Sequence, residues 1–551
     1  MRYGRKLISL LLSALVLVSA LSGCGEKKQS DEQSDEAISF AMNACVCAPV
    51  ESIDPAFCVG VETEPVFRAM FENLLRVRVG EDGSRVVEPA VAKEYTVVEN
   101  YDGTVDYVFT LRSAARWSDG TRVKAKDFVY AWRRLVNPAT DSPNADVLSM
   151  VSGYAEARES GDATRLGVTA EGDTTLRVTL DAPCAWFLSG VCTAVATMPL
   201  RSDAVGKNPD WAAGIDMPCN GAFRLSVWVK GQSLFLRRND YYFESHATTA
   251  DALRFLFAET PEQGARLYDE GTVDYLSPVS AETEGAQALP LRETTCVLYN
   301  HVSDVFYNAH VRRAFDLTLD REAAAGAMGG GQTAATGLVP HGVVNSPDDG
   351  RDFRDAGGSL FAFDAENYAW RCAEARSELH AGGYWSVESF PEVTILCPAG
   401  DERCAAVART GARVWAEQLS VTVHIEELER EEFDARLLSG GYDLAVDTFA
   451  FRNGDALAYL APYAGLDGEN ALHYVNKPYD LLIGVAEGSK DLTARAAMLH
   501  DAEALLLEET ALTPVAFGSR CYLLRESVAG VIHDANGCPL FDGAVAAEAS
   551  R

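Results

Sequence analysis

Residues 107–138 read YVFTLRSAARWSDGTRVKAKDFVYAWRRLVNP. The first five of them, Tyr107–Leu111, are rich in aromatic and aliphatic side chains and predict a β-strand. The dipeptide Asp119–Gly120 is typical of a tight turn. Within Lys126–Leu135 apolar residues recur at helical spacing, and the run ends before Asn137–Pro138, which does not favour a continued helix. The segment therefore predicts a strand, a turn and an amphipathic helix in succession.

Segments on either side show the same mixture of patterns. Leu74–Val79 and Leu176–Leu180 are short aliphatic runs near turn-forming residues, and we interpret both as strands. Val311–Ala327 and Leu492–Glu508 repeat apolar residues with a period near 3.6, which predicts an amphipathic helix in each. The fold class is therefore mixed α/β, and the chain is long enough for two or three lobes of about 100–200 residues each.

The first residues predict the compartment. A basic start precedes an apolar run, Leu7–Ala20, that suits a signal peptide and is short for a membrane span. Leu21–Cys24 resembles the bacterial lipobox, in which the cysteine thiol receives a diacylglycerol chain. The alternative is an ordinary secretory signal with a chance cysteine. We expect a signal peptide over residues 1–23, lipid modification of Cys24, and a flexible polar tether over residues 24–36.

Charge and cysteine content bear on the possible partners and on disulfide formation. The formal net charge is -32 at pH 7, and such a surface repels phosphate backbones, so nucleic-acid binding is disfavoured. Of the 13 cysteines, Cys24 is assigned to the lipid. The rest are even in number, which outside the cytoplasm permits disulfides, but cysteine is also a good buried core residue. The spacing fixes no pairing, and both alternatives stay open.

Several segments, in order along nearly the whole chain after the tether, resemble the large peptide-binding lipoproteins of ABC importers, the oligopeptide- and dipeptide-binding family. The matching segments are Ser52–Pro55, Met70–Leu75, Phe109–Arg112, Arg116–Thr121, Asp127–Arg134, Asn137–Pro138, Asn220–Phe223, Arg238–Tyr242, Val311–Phe315, Asp320–Arg321 and Tyr442–Ala445. Trp117, Phe128 and Trp132 within them are expected to be core residues, because apolar residues at turn and helix positions usually pack. The motifs therefore identify the fold better than they identify a site.

The resemblance implies a two-lobed, periplasmic-binding-protein-like α/β fold of the large class that has an extra subdomain. In that class, paired crossovers join the lobes, which close over the ligand like a hinge. The implied division is lobe I at 37–85, 205–290 and 513–551, an inserted subdomain at 86–204, and lobe II at 291–512.

The resemblance also implies a position for the ligand. In this family a bound peptide lies extended beside a strand, so backbone hydrogen bonds supply affinity. The spacing from the Asp54–Pro55 motif matches that strand to Cys58–Glu62. Within it, Val59, Gly60 and Val61 are the expected ligand contacts, because glycine permits close backbone approach and valine suits an extended chain. The alternative is an ordinary loop.

The family's other anchor is an aspartate, three residues after an aromatic, that pairs with a peptide's amino terminus. Here the aromatic is Phe449 and the anchoring position is Arg452, so the charge is reversed. A guanidinium cannot pair with an ammonium group. Either Asp447 or Asp455 takes the role, or the ligand lacks a free amino terminus there, or it offers an anion to Arg452. We favour the last two hypotheses. The remaining alternative is that Arg452 faces solvent and has no role in binding.

No motif points to catalysis. The sequence has no HExxH zinc motif, the Cys45–Cys47 spacing lacks a second pair, Gly329–Gly331 lacks the lysine of a phosphate loop, and no GxSxG elbow is present. We therefore expect no enzyme, no resident metal and no cofactor. The rival hypotheses are a receptor on the same scaffold for a metal chelate, haem or sugar, and an anchored surface hydrolase.

The expected partners follow from the resemblance. They are a peptide-like ligand, a membrane permease with its cytoplasmic ATPase, and the extracytoplasmic face of the cell membrane, which the chain reaches through its lipid anchor. We expect the protein to be a monomer.

Overall fold

A computed structural model describes residues 38–46, 49–60, 62–79, 85–208, 210–346, 351–361, 367–385, 390–451, 454–465, 470–534 and 536–547. The strands are β1 (Ala41–Val46), β2 (Leu75–Val79), β3 (Arg85–Pro89), β4 (Ala92–Glu99), β5 (Val105–Leu111), β6 (Val168–Ala170), β7 (Thr175–Leu180), β8 (Phe223–Val229), β9 (Ser233–Arg238), β10 (Ala252–Phe257), β11 (Tyr275–Val279), β12 (Gln287–Tyr299), β13 (Thr333–Ala334), β14 (Val393–Pro398), β15 (Val423–Leu428), β16 (Leu444–Ala450), β17 (Leu512–Leu524), β18 (Val528–Ala529), β19 (Ile532–His533), β20 (Pro539–Leu540) and β21 (Val545–Ala546).

The helices are α1 (Glu64–Met70), α2 (Ala125–Val136), α3 (Tyr154–Ser160), α4 (Ser202–Val205), α5 (Pro261–Asp269), α6 (Ala309–Thr318), α7 (Arg321–Ala327), α8 (Phe353–Gly357), α9 (Tyr368–Ala381), α10 (Glu402–Leu419), α11 (Arg430–Leu438), α12 (Ala456–Leu460), α13 (Lys477–Gly488) and α14 (Leu492–Glu508). Within the described residues, none of them is long and apolar enough to cross a membrane. The chain divides into two units, residues 1–39 and 40–551, and all of these strands and helices lie in the second.

The strand and the helix predicted from residues 107–138 are confirmed as β5 and α2. Strand β5 lies inside a four-stranded antiparallel sheet of order β4-β5-β7-β6. Trp117, Phe128 and Trp132 are at most 1% exposed, as expected of core residues. The Trp117 indole donates to Asp127 at 3.2 Å and the Trp132 indole donates to the Thr197 carbonyl at 2.8 Å, so both buried N–H groups have acceptors.

One prediction about the helices is wrong. Val311–Ala327 was predicted to be a single helix, and it forms α6 and α7 instead. The carboxylate of Asp320 accepts a hydrogen bond from the Ala323 amide at 3.0 Å and so caps a second helix start. Leu319 and Asp320 have extended backbone between the two helices, which breaks the continuous helical ladder.

The large sheet has the strand order β15-β14-β16-β12-β17-β11-β1-β10-β9-β8, with β13 also paired to β17. Strands β12 and β17 are the longest, with 13 residues each, and they pair with one another along most of their length. Their register shifts between Pro290 and Thr294, opposite Phe517–Ser519. The two strands therefore run through both halves of the sheet and change pairing near their middle.

Buried apolar residues group on the two sides of this register shift. One set of core residues lies between Met42 and Leu276 and again between Tyr522 and Ala544, and it includes the four-stranded sheet with α2. The other set lies between Cys296 and Ala516. The fold is thus two-lobed, with separate cores connected by β12 and β17.

Candidate ligand-binding cleft

The candidate site is formed by β12 and β17, the two crossing strands that run from one lobe to the other, and by the strand ends beside them. On one side, β1 runs parallel to β11, and on the other β14 runs parallel to β15 and β16. In open α/β sheets, ligands bind outside the carboxyl ends of parallel strands, where the connecting loops diverge. Ligand contacts are therefore expected in the loops that follow these strands.

The lobe I side of the site is the loop that begins at Cys58. Asp54 fixes its start: the carboxylate caps the turn at Ala56 and pairs with both terminal nitrogens of Arg134 on α2, at 3.0 and 2.6 Å. The Asn144 amide then holds the Cys58 carbonyl at 3.0 Å. Two of the motifs quoted from the sequence thus meet, and their contact positions the loop.

The described part of the predicted pairing segment is not a strand. Val59 is 56% exposed, and Gly60 has a left-handed backbone with φ +82°, so the chain bends there. The Val59 carbonyl accepts from the Thr63 hydroxyl at 3.3 Å, whereas no described residue accepts from the amides of Val59 and Gly60. Val61, the third predicted contact, lies outside the described residues.

An ion pair connects this loop to the crossing strand. Arg520 on β17 donates to the Glu62 carboxylate at 2.8 Å. A small cavity of ≈ 20 Å³, about the size of one water, lies beside the pair and is bordered by the end of β1 and by Ser277 and Gly537. The sequence analysis missed Arg520, because nothing local marks an arginine on an otherwise apolar strand as a partner for residue 62.

On the lobe II side, Phe449 lies near the end of β16, where its ring meets that of Tyr463 edge to face at 6.0 Å. Two residues before it, Asp447 is 5% exposed and pairs with Arg430 through both oxygens, at 2.8 and 3.0 Å. Burial raises the pKa of Asp447, and the hydrogen bonds from Arg430 oppose that rise. Asp447 is therefore held by a cation from its own lobe.

Asp455 is similarly engaged. It is 8% exposed, caps α12 by accepting from the Leu457 amide at 3.1 Å, and pairs with Arg495 on α14 at 2.9 and 2.8 Å. Two bonds from one guanidinium to one carboxylate give a strong and oriented pair. Arg452, the predicted anchoring position, lies outside the described residues. Both alternative carboxylates are therefore paired with an arginine of lobe II.

The edge of lobe II carries one further pair that sequence reasoning missed. Glu293 on β12 accepts from Arg403 at the start of α10, at 3.0 Å. The two residues are 110 positions apart, so no local signal connects them. With Arg520 and Glu62, this pair places charged groups on both sides of the crossing strands.

Comparison with known proteins decides the family. Residues 86–471 match the profile described as bacterial extracellular solute-binding proteins, family 5 Middle, which is well over half of the chain. The chain belongs to this family. As a family 5 protein it is a solute-binding protein, and the expected two-lobed fold is confirmed.

Relatives of this family 5 protein extend along almost its whole length. It is 26% identical over 540 residues to the dipeptide-binding protein DppE of Bacillus subtilis, covering 94% of this chain and 95% of DppE. It is 29% identical over 477 residues to the probable deoxycholate-binding periplasmic protein YgiS of Escherichia coli, covering 84% and 85%. Among solved structures, the unliganded open form of the murein tripeptide binding protein MppA is similar in fold, with a TM-score of 0.79, 24% identity, and coverage of 93% of this chain and 98% of that one.

Proposed function

We propose that this protein captures a peptide or peptide-like ligand between its two lobes and delivers it, chemically unchanged, to a membrane permease driven by a cytoplasmic ATPase. The observation that carries the proposal is the pair of 13-residue strands, β12 and β17, that connect two separate cores. We take the register shift in these two strands as the hinge about which the lobes close, because hinges consist of a few residues that absorb a backbone rotation. The names of DppE and MppA add peptides as the ligand class.

The ligand would contact the loop at Val59–Val61 on lobe I and the end of β16 at Phe449 on lobe II. The amides of Val59 and Gly60 support this, because they have no acceptor among the described residues and are open to an extended ligand backbone. Asp455 would position the lobe II edge through Arg495 instead of binding an amine. We also propose the predicted lobe boundaries, except that the second crossover is placed at Phe517–Cys521 and not at residue 512, since Val515 and Ala516 pack in the lobe II core.

A screen of thermal stability tests the ligand class. Purified protein would be heated with peptides of two to six residues, nickel chelates, oligosaccharides, haem and deoxycholate. A ligand at a hundred times its dissociation constant adds about 2.7 kcal/mol of stability. We expect stabilisation by peptides; stabilisation by a sugar, haem, a chelate or deoxycholate alone would contradict the peptide proposal.

The reversed charge at residue 452 suggests which peptides bind. Arg430 and Arg495 already pair with Asp447 and Asp455, the two carboxylates nearest residue 452 that could take the family's anchoring role. We expect N-acetylated peptides to bind more tightly than the same peptides with a free amino terminus. Peptides with an acidic first residue should likewise bind more tightly than those with a neutral one, and Arg452→Asp should reverse both preferences. Isothermal titration with matched acetylated and free peptides measures it; unchanged binding of every peptide would contradict a role for Arg452.

The chain would reach its permease from the extracytoplasmic face of the membrane as a lipid-anchored monomer without catalytic activity. The lipobox-like Leu21–Cys24 carries the anchoring proposal, although Cys24 lies outside the described residues. Cys24→Ser should release the protein from the membrane fraction, and incorporation of labelled fatty acid should be lost. Retention of the label in Cys24→Ser would contradict the assignment.

A further inference from the structure

His341, Asp352 and Asp355 form a cluster in lobe II whose imidazole–carboxylate distances are longer than those of most hydrogen bonds. The imidazole Nδ1 lies 3.4 Å from one oxygen of Asp352 and 3.4 Å from one oxygen of Asp355. The donor atoms of all three residues lie within 4.8 Å of one another. Hydrogen bonds between nitrogen and oxygen are usually about 2.7–3.2 Å long. Two ligands of a tetrahedral zinc ion, each about 2.0–2.1 Å from the metal, lie about 3.3–3.4 Å apart.

The backbone fixes the first carboxylate. Asp352 caps α8 through Oδ1, the oxygen that faces the imidazole, which accepts from the amides of Arg354 at 2.8 Å and Asp355 at 3.3 Å. Its other oxygen accepts from the amide of Gly342, the residue after the histidine. Such contacts orient a ligand before the metal arrives, as the supporting hydrogen bonds of known metal sites do.

Packing fixes the imidazole, while solvent reaches the open side of the cluster. The His341 ring meets the ring of Phe517 edge to face, with centroids 5.8 Å apart. The side chains of His341 and Asp355 are 45% and 65% exposed, which leaves room for water ligands. Of the two arginines next to this cluster in the chain, Arg351 and Arg354, the second is turned to Glu503 at 2.6 Å, so the charge of Arg354 is already compensated.

We propose that His341, Asp352 and Asp355 bind a divalent first-row transition metal, of which Zn²⁺ is the natural probe. One imidazole and two carboxylates with open positions for water are a donor set that such ions accept. Phe517 lies on β17 where that strand changes register, so an occupied site would stiffen the loop that packs on the crossover. The cluster shares no residue with the proposed peptide contacts, but Val344 in the same segment pairs with Asp455. A bound metal would contradict the expectation that no metal is resident.

Calorimetric titration of ZnCl2 into the metal-stripped full mature chain tests the proposal. Asp355→Asn and His341→Ala each remove one donor, and Asp355 is exposed enough for its variant to fold, which circular dichroism would verify. His424→Ala is the matched control, because His424 pairs with Glu392 at 2.8 Å on another exposed surface. We expect one ion per chain in the wild type and the control, with at least tenfold weaker binding in both site variants.

Two results would overturn the site. Either the wild type binds no Zn²⁺ at 100-micromolar concentrations, or both site variants bind it as tightly as the wild type does. Peptide binding is measured separately, so neither result bears on the proposed transport role.

Discussion

At the scale of single residues, the lobe II edge is organised by arginines that hold buried carboxylates. Asp447 and Asp455 were considered as ligand anchors from the sequence, and each is engaged by a guanidinium of its own lobe. Arg495 lies 40 positions after Asp455. Sequence spacing can name the two aspartates but cannot reveal that helix α14 returns an arginine to one of them.

Removing one partner of a buried pair leaves an uncompensated charge. Asp455→Asn should lower the free energy of unfolding by about 3–5 kcal/mol, because Arg495, whose side chain is only 11% exposed, would lose its counter-ion. Asp434→Asn is the control: Asp434 pairs with Arg430 on the surface, where a salt bridge contributes about 0–1 kcal/mol. Urea unfolding of the two variants measures the difference. Equal losses would show that the Asp455 pair is not the strong one.

His301 makes stability depend on pH. Burial and the nearby Arg312 lower the pKa of His301 from its ordinary 6.5 to about 3, so the folded protein holds the ring neutral while the unfolded chain protonates it. The stability due to the neutral ring is complete above pH 6.5 and is lost as the pH falls towards 3, by at most about 1.4 kcal/mol per pH unit.

His301→Gln tests this dependence. Glutamine can still donate to the Ala511 carbonyl, which the imidazole contacts at 3.0 Å, and it does not titrate. Unfolding measured from pH 7 to pH 4 should show a shallower loss of stability in the variant than in the wild type. Parallel curves for the two proteins would contradict the assignment.

At the scale of elements, strands and helices with strong local patterns were predictable, and their interruptions were not. Strand β5 and helix α2 were found because enrichment in aromatic and aliphatic residues and helical spacing are local signals. The split between α6 and α7 depends on one capping aspartate that also fits a continuous amphipathic pattern. The long pairing of β12 with β17 joins residues more than two hundred positions apart, which no local pattern encodes.

Gly518 permits that pairing where the register shifts. A β-carbon at this position would lie 2.5 Å from the β-carbon of Glu293 on β12. Gly518→Ala should therefore destabilise the protein by about 1–3 kcal/mol, the usual cost of overpacking. Gly484 inside α13 has open space around it, and Gly484→Ala should be neutral or stabilising by about 0.5–1 kcal/mol. Chemical unfolding compares them; a neutral Gly518→Ala would contradict tight packing at the crossover.

At the scale of the whole molecule, the two cores connected by the two crossing strands form the two lobes between which the ligand is proposed to bind. The family and the two-lobed α/β fold were predictable, because many short motifs keep their order along the chain. The ion pair between Glu62 and Arg520 was not predictable, since the two residues come from opposite ends of the sequence and meet only after folding. Ligand identity depends on such non-local meetings, which explains why the sequence predicts the class of protein better than its contacts.

Native mass spectrometry of the full mature chain with a defined peptide library tests the central claim most directly. If the lobes hold a peptide and do not alter it, the folded protein should gain the mass of one intact peptide, and the released peptide should be unchanged. Loss of the adduct in a variant with a β-carbon at the loop bend, Gly60→Ala, would place the peptide there, because that backbone has φ +82°. Cleaved peptides, or a protein that retains none of the library, would contradict the account.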